Sequence, residues 1–192
     1  MDYLIATHNK GKKAELERIL KPLGINIKLP EDIGIELTDV EETGTTFREN
    51  AYLKAFNGMK ESNLPCIADD SGLIVDALPD KLGIHTARYG GEDMPYPEKI
   101  QKLIGEMKDV ENRAARFIST ICCVYPDETT LYAEGMCEGV IGFEPMGNNG
   151  FGFDPIFYVG DKSFAALTAE EKDAISHRGN ALRNFRKIFE NS

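Results

Sequence analysis

No stretch of this 192-residue chain approaches the roughly 20 consecutive apolar residues of a membrane span. The start, Met1-Asp2-Tyr3-Leu4-Ile5, carries no basic region and turns polar at Thr7, so it does not read as a signal peptide. These two absences lead to the expectation of a cytoplasmic protein with no membrane partner. Cysteine is scarce and unpatterned. Cys66, Cys122, Cys123 and Cys137 form no C-x-x-C pair, and the neighbours Cys122 and Cys123 face opposite sides of any strand. They are expected as reduced, buried, small apolar residues, not as a zinc site. Positive charge is in deficit, with 22 basic against 32 acidic residues and a formal balance of −10. Such a surplus repels a nucleic-acid backbone and speaks against a polymer-binding module. It leaves room for one small anion held by a few local cations. No internal repeat or low-complexity tract appears, and residues 1–192 are expected to form a single domain.

What is present is a chain that is 42% hydrophobic, enough for a packed interior. Tyr3-Leu4-Ile5-Ala6-Thr7 reads as a first strand. A helix follows near Gly11, with Leu16, Ile19, Leu20 and Leu23 at helical spacing, and Pro22 and Gly24 end it. Ile25 to Lys28 predicts a second strand. Thr46-Phe47-Arg48-Glu49 is a capping-box pattern opening a helix that lines up Phe47, Ala51 and Ala55. Cys66-Ile67-Ala68 and Leu73-Ile74-Val75 read as two short buried strands. A helix from Pro97 to Met107 precedes two longer strands, Ala115 to Tyr125 and Thr130 to Ile141, paired as an antiparallel hairpin across Pro126-Asp127-Glu128. Ile156 to Val159 is a further strand. The C-terminal part reads as helix, opened by the capping box Thr168-Ala169-Glu170-Glu171. Early alternation of helix and strand with a late hairpin predicts an α/β chain with a mixed sheet.

Five segments carry residues suited to chemistry. Thr7-His8-Asn9-Lys10-Gly11-Lys12 sits where a strand meets a helix start, whose free N–H groups suit a phosphate. The competing reading is a polar turn with solvated lysines. Ala68-Asp69-Asp70-Ser71-Gly72 places two acids beside apolar runs. It reads either as hard ligands for magnesium or as an acidic turn bent at Gly72. Glu42 lies just before a helix, where acids are often plain dipole partners, and Lys54 lies two turns into it. Gly147 to Pro155 combines three glycines with Phe151 and Phe153, a platform for a base or a loop whose rings reach the core. Asp154 could accept from a ring N–H. Lys172 and Ser176-His177-Arg178-Gly179 gather donors for polyphosphate or carbonyl oxygens, or else form a helix C-terminus with a glycine cap. Together they supply a phosphate end, a metal end and an aromatic platform, a combination suited to a nucleoside triphosphate.

The chain resembles the inosine/xanthosine triphosphate pyrophosphatases, the Ham1-like proteins, over nearly its whole length. The resemblance rests on six ordered segments: Ala6 to Lys12, Glu42 to Ala51, Ala68 to Leu73, Thr86-Ala87-Arg88-Tyr89, Gly150 to Phe157 and Ile175 to Gly179. It implies a homodimer, each subunit a long, twisted, mixed β-sheet flanked by helices, with two lobes and the active-site cleft between them. It also implies magnesium-dependent hydrolysis of ITP, dITP and XTP to the monophosphate and pyrophosphate. On the matching positions, Thr7, His8, Asn9, Lys10, Gly11 and Lys12 hold phosphate. Glu42 and Asp70 hold magnesium, with Asp70 the base and Asp69 in support. Ser71 contacts substrate, and Lys54 lies near the phosphates. Phe151, Gly152, Phe153 and Asp154 line the base pocket, and Lys172, His177 and Arg178 touch substrate. His8, Phe153, Asn149-Gly150 and Asp80-Lys81-Leu82-Gly83 depart from the usual family residues and bear on fine specificity. A Maf-type pyrophosphatase and a nucleotide-binding regulator without turnover are the alternatives.

Overall fold

A strand buried on both sides must send alternate residues into two different cores, and the first strand does so. In the computed structural model, which describes residues 1–190, β1 (Asp2–Ile5) buries Tyr3 and Ile5 with Leu16, Leu20, Leu182 and Phe185. Leu4 joins Ala51, Ala55 and Met59 in a separate cluster. The chain divides into two compact units. The first comprises Met1–Asp70, Ser119–Gly135 and the segment from His177 onward; the second comprises Ser71–Ile118 and Met136–Ser176. The single-domain expectation also covers Asn191 and Ser192, which lie outside the described residues.

One seven-stranded sheet runs in the order β2-β1-β3-β4-β5-β6-β7. Its strands beyond β1 are β2 (Asn26–Lys28), β3 (Cys66–Val75), β4 (Ala114–Val124), β5 (Thr130–Ile141), β6 (Phe157–Val159) and β7 (Lys162–Ser163). β1 pairs in parallel with β2, Tyr3 opposite Ile27, and with β3, Ile5 opposite Ile67. β6 is antiparallel to β5 and to β7. The sheet is therefore mixed, as the alternation of elements predicts. β4 and β5 are neighbours joined by a turn in which Tyr125 N donates to Thr129 O at 2.9 Å, a connection too short for anything but a hairpin.

In the first unit, α1 (Lys10–Leu20) starts at Asn9, whose Oδ1 accepts from Lys12 N at 3.0 Å. It runs into a tight turn that stops at Gly24, in the left-handed region at φ 75°. α2 (Phe47–Ser62) is capped by Thr46, whose Oγ1 accepts from Glu49 N at 3.1 Å. The return bond expected of a capping box goes one residue astray, since Glu49 Oε2 accepts from Thr45 N at 2.6 Å and Thr45 Oγ1 at 2.9 Å. Cys122 and Cys123 fall in different clusters, and all four cysteines are free and buried.

The second unit is built around aromatic rings. Phe117 meets Phe157 edge-on at 4.7 Å and lies parallel to Phe164 at 5.8 Å. Ile100 and Leu103 of α3 (Tyr96–Glu106), with Met107 just beyond it, close the same cluster. Each such fully buried side chain contributes about 1.5–3 kcal/mol. α4 (Ala169–Ile175) has the complete capping box. Thr168 N donates to Glu171 Oε2 at 2.8 Å, and Glu171 N donates to Thr168 Oγ1 at 3.1 Å.

Two expectations are corrected. The two short strands around Asp69-Asp70-Ser71-Gly72 are one unbroken strand, β3, with no acidic turn and no bend at Gly72. The C-terminal helix is two helices. α4 stops at Ile175, Ser176 is extended at φ −69° and ψ 158°, and α5 (His177–Glu190) begins at once. His177, Arg178 and Gly179 thus open a helix and do not cap one. Among the described residues, no helix is long and apolar enough to cross a membrane.

Candidate functional site

The alternation of β3 decides where its two acids go. Ile67 belongs to the cluster with α1 and α5, and Ala68 to the cluster with α2. Two residues further on, Asp69 follows Ile67 and Asp70 follows Ala68. Both are buried, and each meets a different set of cations.

On the α1/α5 face, Asp69 Oδ2 lies 2.8 Å from Lys12 Nζ and 3.1 Å from Arg178 Nη2, while Oδ1 accepts from Ser119 Oγ. Arg178, 1% exposed, also donates through Nη1 to Glu15. Burial works to raise the Asp69 pKa, but the Arg178 and Lys12 charges override it and hold the carboxyl well below the usual range. Burial lowers the Lys12 pKa against the pull of Asp69, with Lys54 and Arg178 adding repulsion. Gly135 of β5 makes this face possible. A Cβ there would collide with Ala181 N and His177 O, so only glycine lets the start of α5 approach the sheet so closely. Lys12 in the first turn of α1 and Arg178 in the first turn of α5 each oppose a helix dipole, and the carboxylates of Glu15 and Asp69 offset them.

On the α2 face, Lys54 Nζ lies 3.0 Å from Asp70 Oδ1 and 3.0 Å from Glu42 Oε1. Residues 28 positions apart in the chain therefore converge on one ammonium. Asp70 Oδ2 is buried with no hydrogen-bond partner. Burial raises the Asp70 pKa, the Lys54 and Lys12 charges oppose this, and the Glu42 carboxylate reinforces it. Burial pulls the Lys54 pKa down, but Asp70 and Glu42 overcome it and leave it raised. Lys54 is thus a fixed cation. Among the described residues no group of three or more His, Cys, Asp or Glu gathers around one point. A pair of carboxylates with one uncommitted buried oxygen is nevertheless what magnesium uses when substrate phosphates complete its shell.

The second unit holds the other expected residues. Asp154 is buried, and its Oδ2 accepts from Phe151 N at 3.0 Å and from Lys172 Nζ at 2.6 Å. Lys172 Nζ lies 4.8 Å from the centre of the half-buried Phe151 ring. Gly150, at φ 68°, passes so close that a Cβ would strike Asp154 Oδ2. The glycines here let the loop close on its own aspartate. Gly152 is half-buried at φ 63°. Phe153, expected in the base pocket, is only 2% exposed and stands edge-on to Tyr89 at 6.0 Å and Tyr96 at 5.4 Å. Its ring is a core ring, the other of the two roles open to it. Ser71 continues β3, half-buried.

The remaining expected residues are more dispersed. His8 and Lys10 are exposed, with His8 Nε2 3.2 Å from Asp39. Thr7 Oγ1 accepts from Asn9 N at 3.2 Å, and Gly11 is half-buried. His177 is buried at the start of α5. Sequence reasoning missed Glu15 and Ser119. Glu15 follows Lys12 by three positions and so shares its helix face, a signal that was available. Ser119 shares a strand face with Phe117 and Ile121, and nothing local marks it.

A mixed-sheet α/β protein with paired carboxylates and ammoniums on the two faces of one strand has the features of an enzyme that handles polyphosphate. Comparison with known proteins narrows that class. The Ham1 family profile matches residues 3–188, and the chain belongs to that family. It is 46% identical over 190 residues to a dITP/XTP pyrophosphatase of Halalkalibacterium halodurans, covering 97% of each chain. It is 48% identical over 186 residues to the dITP/XTP pyrophosphatase of Escherichia coli K12, covering 94% of this chain and 93% of that one. Among solved structures, the Ham1 protein of Staphylococcus aureus superposes with a TM-score of 0.86 at 40% identity, covering 100% and 99% of the two chains. A HAM1 protein of Coxiella burnetii gives 0.88 at 37% identity over 100% of both.

Proposed function

We propose that this chain hydrolyses deaminated purine nucleoside triphosphates, ITP, dITP and XTP, to the monophosphate and pyrophosphate, and so clears them from the nucleotide pool. One observation carries the reading. Glu42 and Asp70 converge on Lys54, each at 3.0 Å, and Asp70 keeps a buried oxygen without a partner. Binding alone is better served by fewer negative charges beside a triphosphate, whereas hydrolysis uses a carboxylate to take a proton from water.

Glu42 and Asp70 would hold magnesium, which when bound neutralises phosphate charge and acidifies water. Asp70 Oδ2 takes the proton of the water that attacks the α-phosphorus. Burial raises its pKa and favours the proton, whereas a bound metal would lower its basicity. Lys12 and Lys54 stabilise the departing pyrophosphate. Asp69, saturated by Lys12, Arg178 and Ser119, fixes Lys12 and does not ligate metal. In the second unit, Phe151 stacks on the base. Lys172, held by Asp154, donates to the oxygen at position six of hypoxanthine or xanthine. Adenine offers a donor there, and a site built on such a bond rejects the mismatch by about 10⁴-fold. Guanine shares the oxygen and is turned away at its 2-amino group. The family resemblance extends the reading to a homodimer working in the cytoplasm.

The test is pyrophosphate release from ITP, dITP, XTP, GTP and ATP, with and without magnesium. Rapid, magnesium-dependent cleavage of the first three is expected. A comparable kcat/KM for GTP would overturn the base-pocket account. Stoichiometric ITP binding with no release would overturn hydrolysis itself and leave a nucleotide-binding regulator. Light scattering on the eluting protein tests the dimer.

A further inference from the structure

The segment Thr86-Ala87-Arg88-Tyr89 has no part in the chemistry above, yet it is held rigidly. It belongs to a tight turn, Gly83–Arg88, in the second unit. Thr86 Oγ1 donates to Gly83 O at 2.6 Å and accepts from Leu73 N of β3 at 2.9 Å. Lys99 of α3 donates to Ala87 O. Fixed in this way, the turn presents His85 and Arg88, both exposed, to a cavity of about 380 Å³. Lys81, Lys102, Glu106 and Tyr89 complete the lining.

The charges of this cavity do not match those of the chain. Lys81, Arg88 and Lys102 stand against one carboxylate, Glu106, in a protein with a balance of −10. Glu106 orients two of the ammoniums, with Lys81 Nζ at 2.9 Å and Lys102 Nζ at 2.7 Å. Each keeps further N–H donors beyond that bond. The floor supplies a neutral donor. Tyr89 is 6% exposed, and its buried Oη lies toward the Glu106 carboxylate. Burial, then the Glu106 charge and hydrogen bonding to it, push its pKa up, so it remains a hydroxyl able to donate.

We propose that this cavity is a binding site for a phosphate-type oxyanion, free or carried on a small molecule. Arg88 is the forked donor, Lys81 and Lys102 the rim charges, and Tyr89 Oη the neutral donor at the floor. The volume falls in the range of about 300–1,000 Å³ usual for small-molecule sites, so it admits more than a bare phosphate. None of its residues belongs to the catalytic or base-binding sets, and the proposal stands independently of the hydrolysis reading.

The experiment is amide NMR on the full chain, titrated separately with inorganic phosphate, pyrophosphate and a nucleoside 5′-monophosphate. Saturable shifts at His85, Arg88 and Gly90 with at least one of the three are expected, and the tightest probe identifies the source. Arg88→Gln should weaken that binding by about tenfold, the loss of one charge-assisted contact. Tyr89→Phe keeps the ring that packs on Phe153, and should weaken binding at an unchanged Tm. Amides 85–90 that stay still with all three probes would overturn the site. So would an affinity that both variants leave intact.

Discussion

The two units treat buried charge differently. In the first, the two faces of β3 divide the labour. Asp69 is saturated by two cations and a hydroxyl, whereas Asp70 shares one ammonium with Glu42 and keeps an oxygen spare. In the second, one aspartate does both jobs, since Asp154 closes its own loop through Phe151 N and holds Lys172. The first arrangement separates a fully paired carboxylate from one with an oxygen to spare. The second cannot be altered at Asp154 without disturbing both loop and lysine.

The sharpest way to break this contrast is Asp70→Asn. Pyrophosphate release should fall by about 10²–10⁴-fold, while ITP binding persists. The variant should also melt no lower than the parent. A raised carboxyl pKa in the folded state means that ionisation at neutral pH disfavours folding, and the amide removes that cost. Near-normal turnover, or a clear fall in Tm, would undo the division of roles between the two acids.

Next in size is Arg178→Leu. It takes the guanidinium from both Glu15 and Asp69 and should cost about 3–5 kcal/mol in urea unfolding. Lys172→Met takes the ammonium from one carboxylate, Asp154, and should cost less, with Phe151 N still bonding it. An Arg178→Leu cost no larger than that of Lys172→Met would show that the two units do not differ in this respect.

Acid should expose the same asymmetry. Asp69 has a folded pKa below its unfolded value near 4, so its contribution is complete above that value and disappears as pH falls through the folded one. Asp70 has the opposite sign, and relieves a cost as pH falls through its raised folded value and its proton returns. Unfolding free energy measured against pH should therefore drop steeply in acid for the parent. In Asp69→Asn the drop should be shallower, from a lower plateau. An equally steep acid limb in that variant would remove Asp69 from the account.

The smallest expected effect compares the two helix caps. Thr46→Ala and Thr168→Ala should each cost about 1 kcal/mol. Thr168 should cost more, because its box is reciprocal whereas the Glu49 carboxylate reaches past the cap to Thr45. Thermal melts of the two variants check the order.

Much of this was legible in the residues. The strands with apolar runs, the α1 and α3 stripes, the hairpin and the Thr168 box follow from spacing and turn chemistry. The unbroken β3 was not legible, for a physical reason. Two adjacent acids in a buried strand are tolerable only with cations at hand, and those cations come from Lys12, Lys54 and Arg178, far along the chain. The break between α4 and α5 falls at Ser176, with no proline or glycine to announce it. β7 has two residues, too few to show a period. At the candidate site, residue type alone left Glu42 a helix-dipole partner, and only the family resemblance joined it to Asp70. Placing Phe153 in the core, however, required knowing that Tyr89 and Tyr96 flank it.

The alternation of β3 also makes the site sensitive to frame. Deleting a single residue upstream of Asp69 in that strand would turn both acids to the opposite faces. Asp70 would then fall where Asp69 now meets Lys12 and Arg178, and Ser71 would stand beside Lys54 and Glu42. The pairing of these acids is therefore tied to the ladder of main-chain hydrogen bonds as tightly as to the side chains around them.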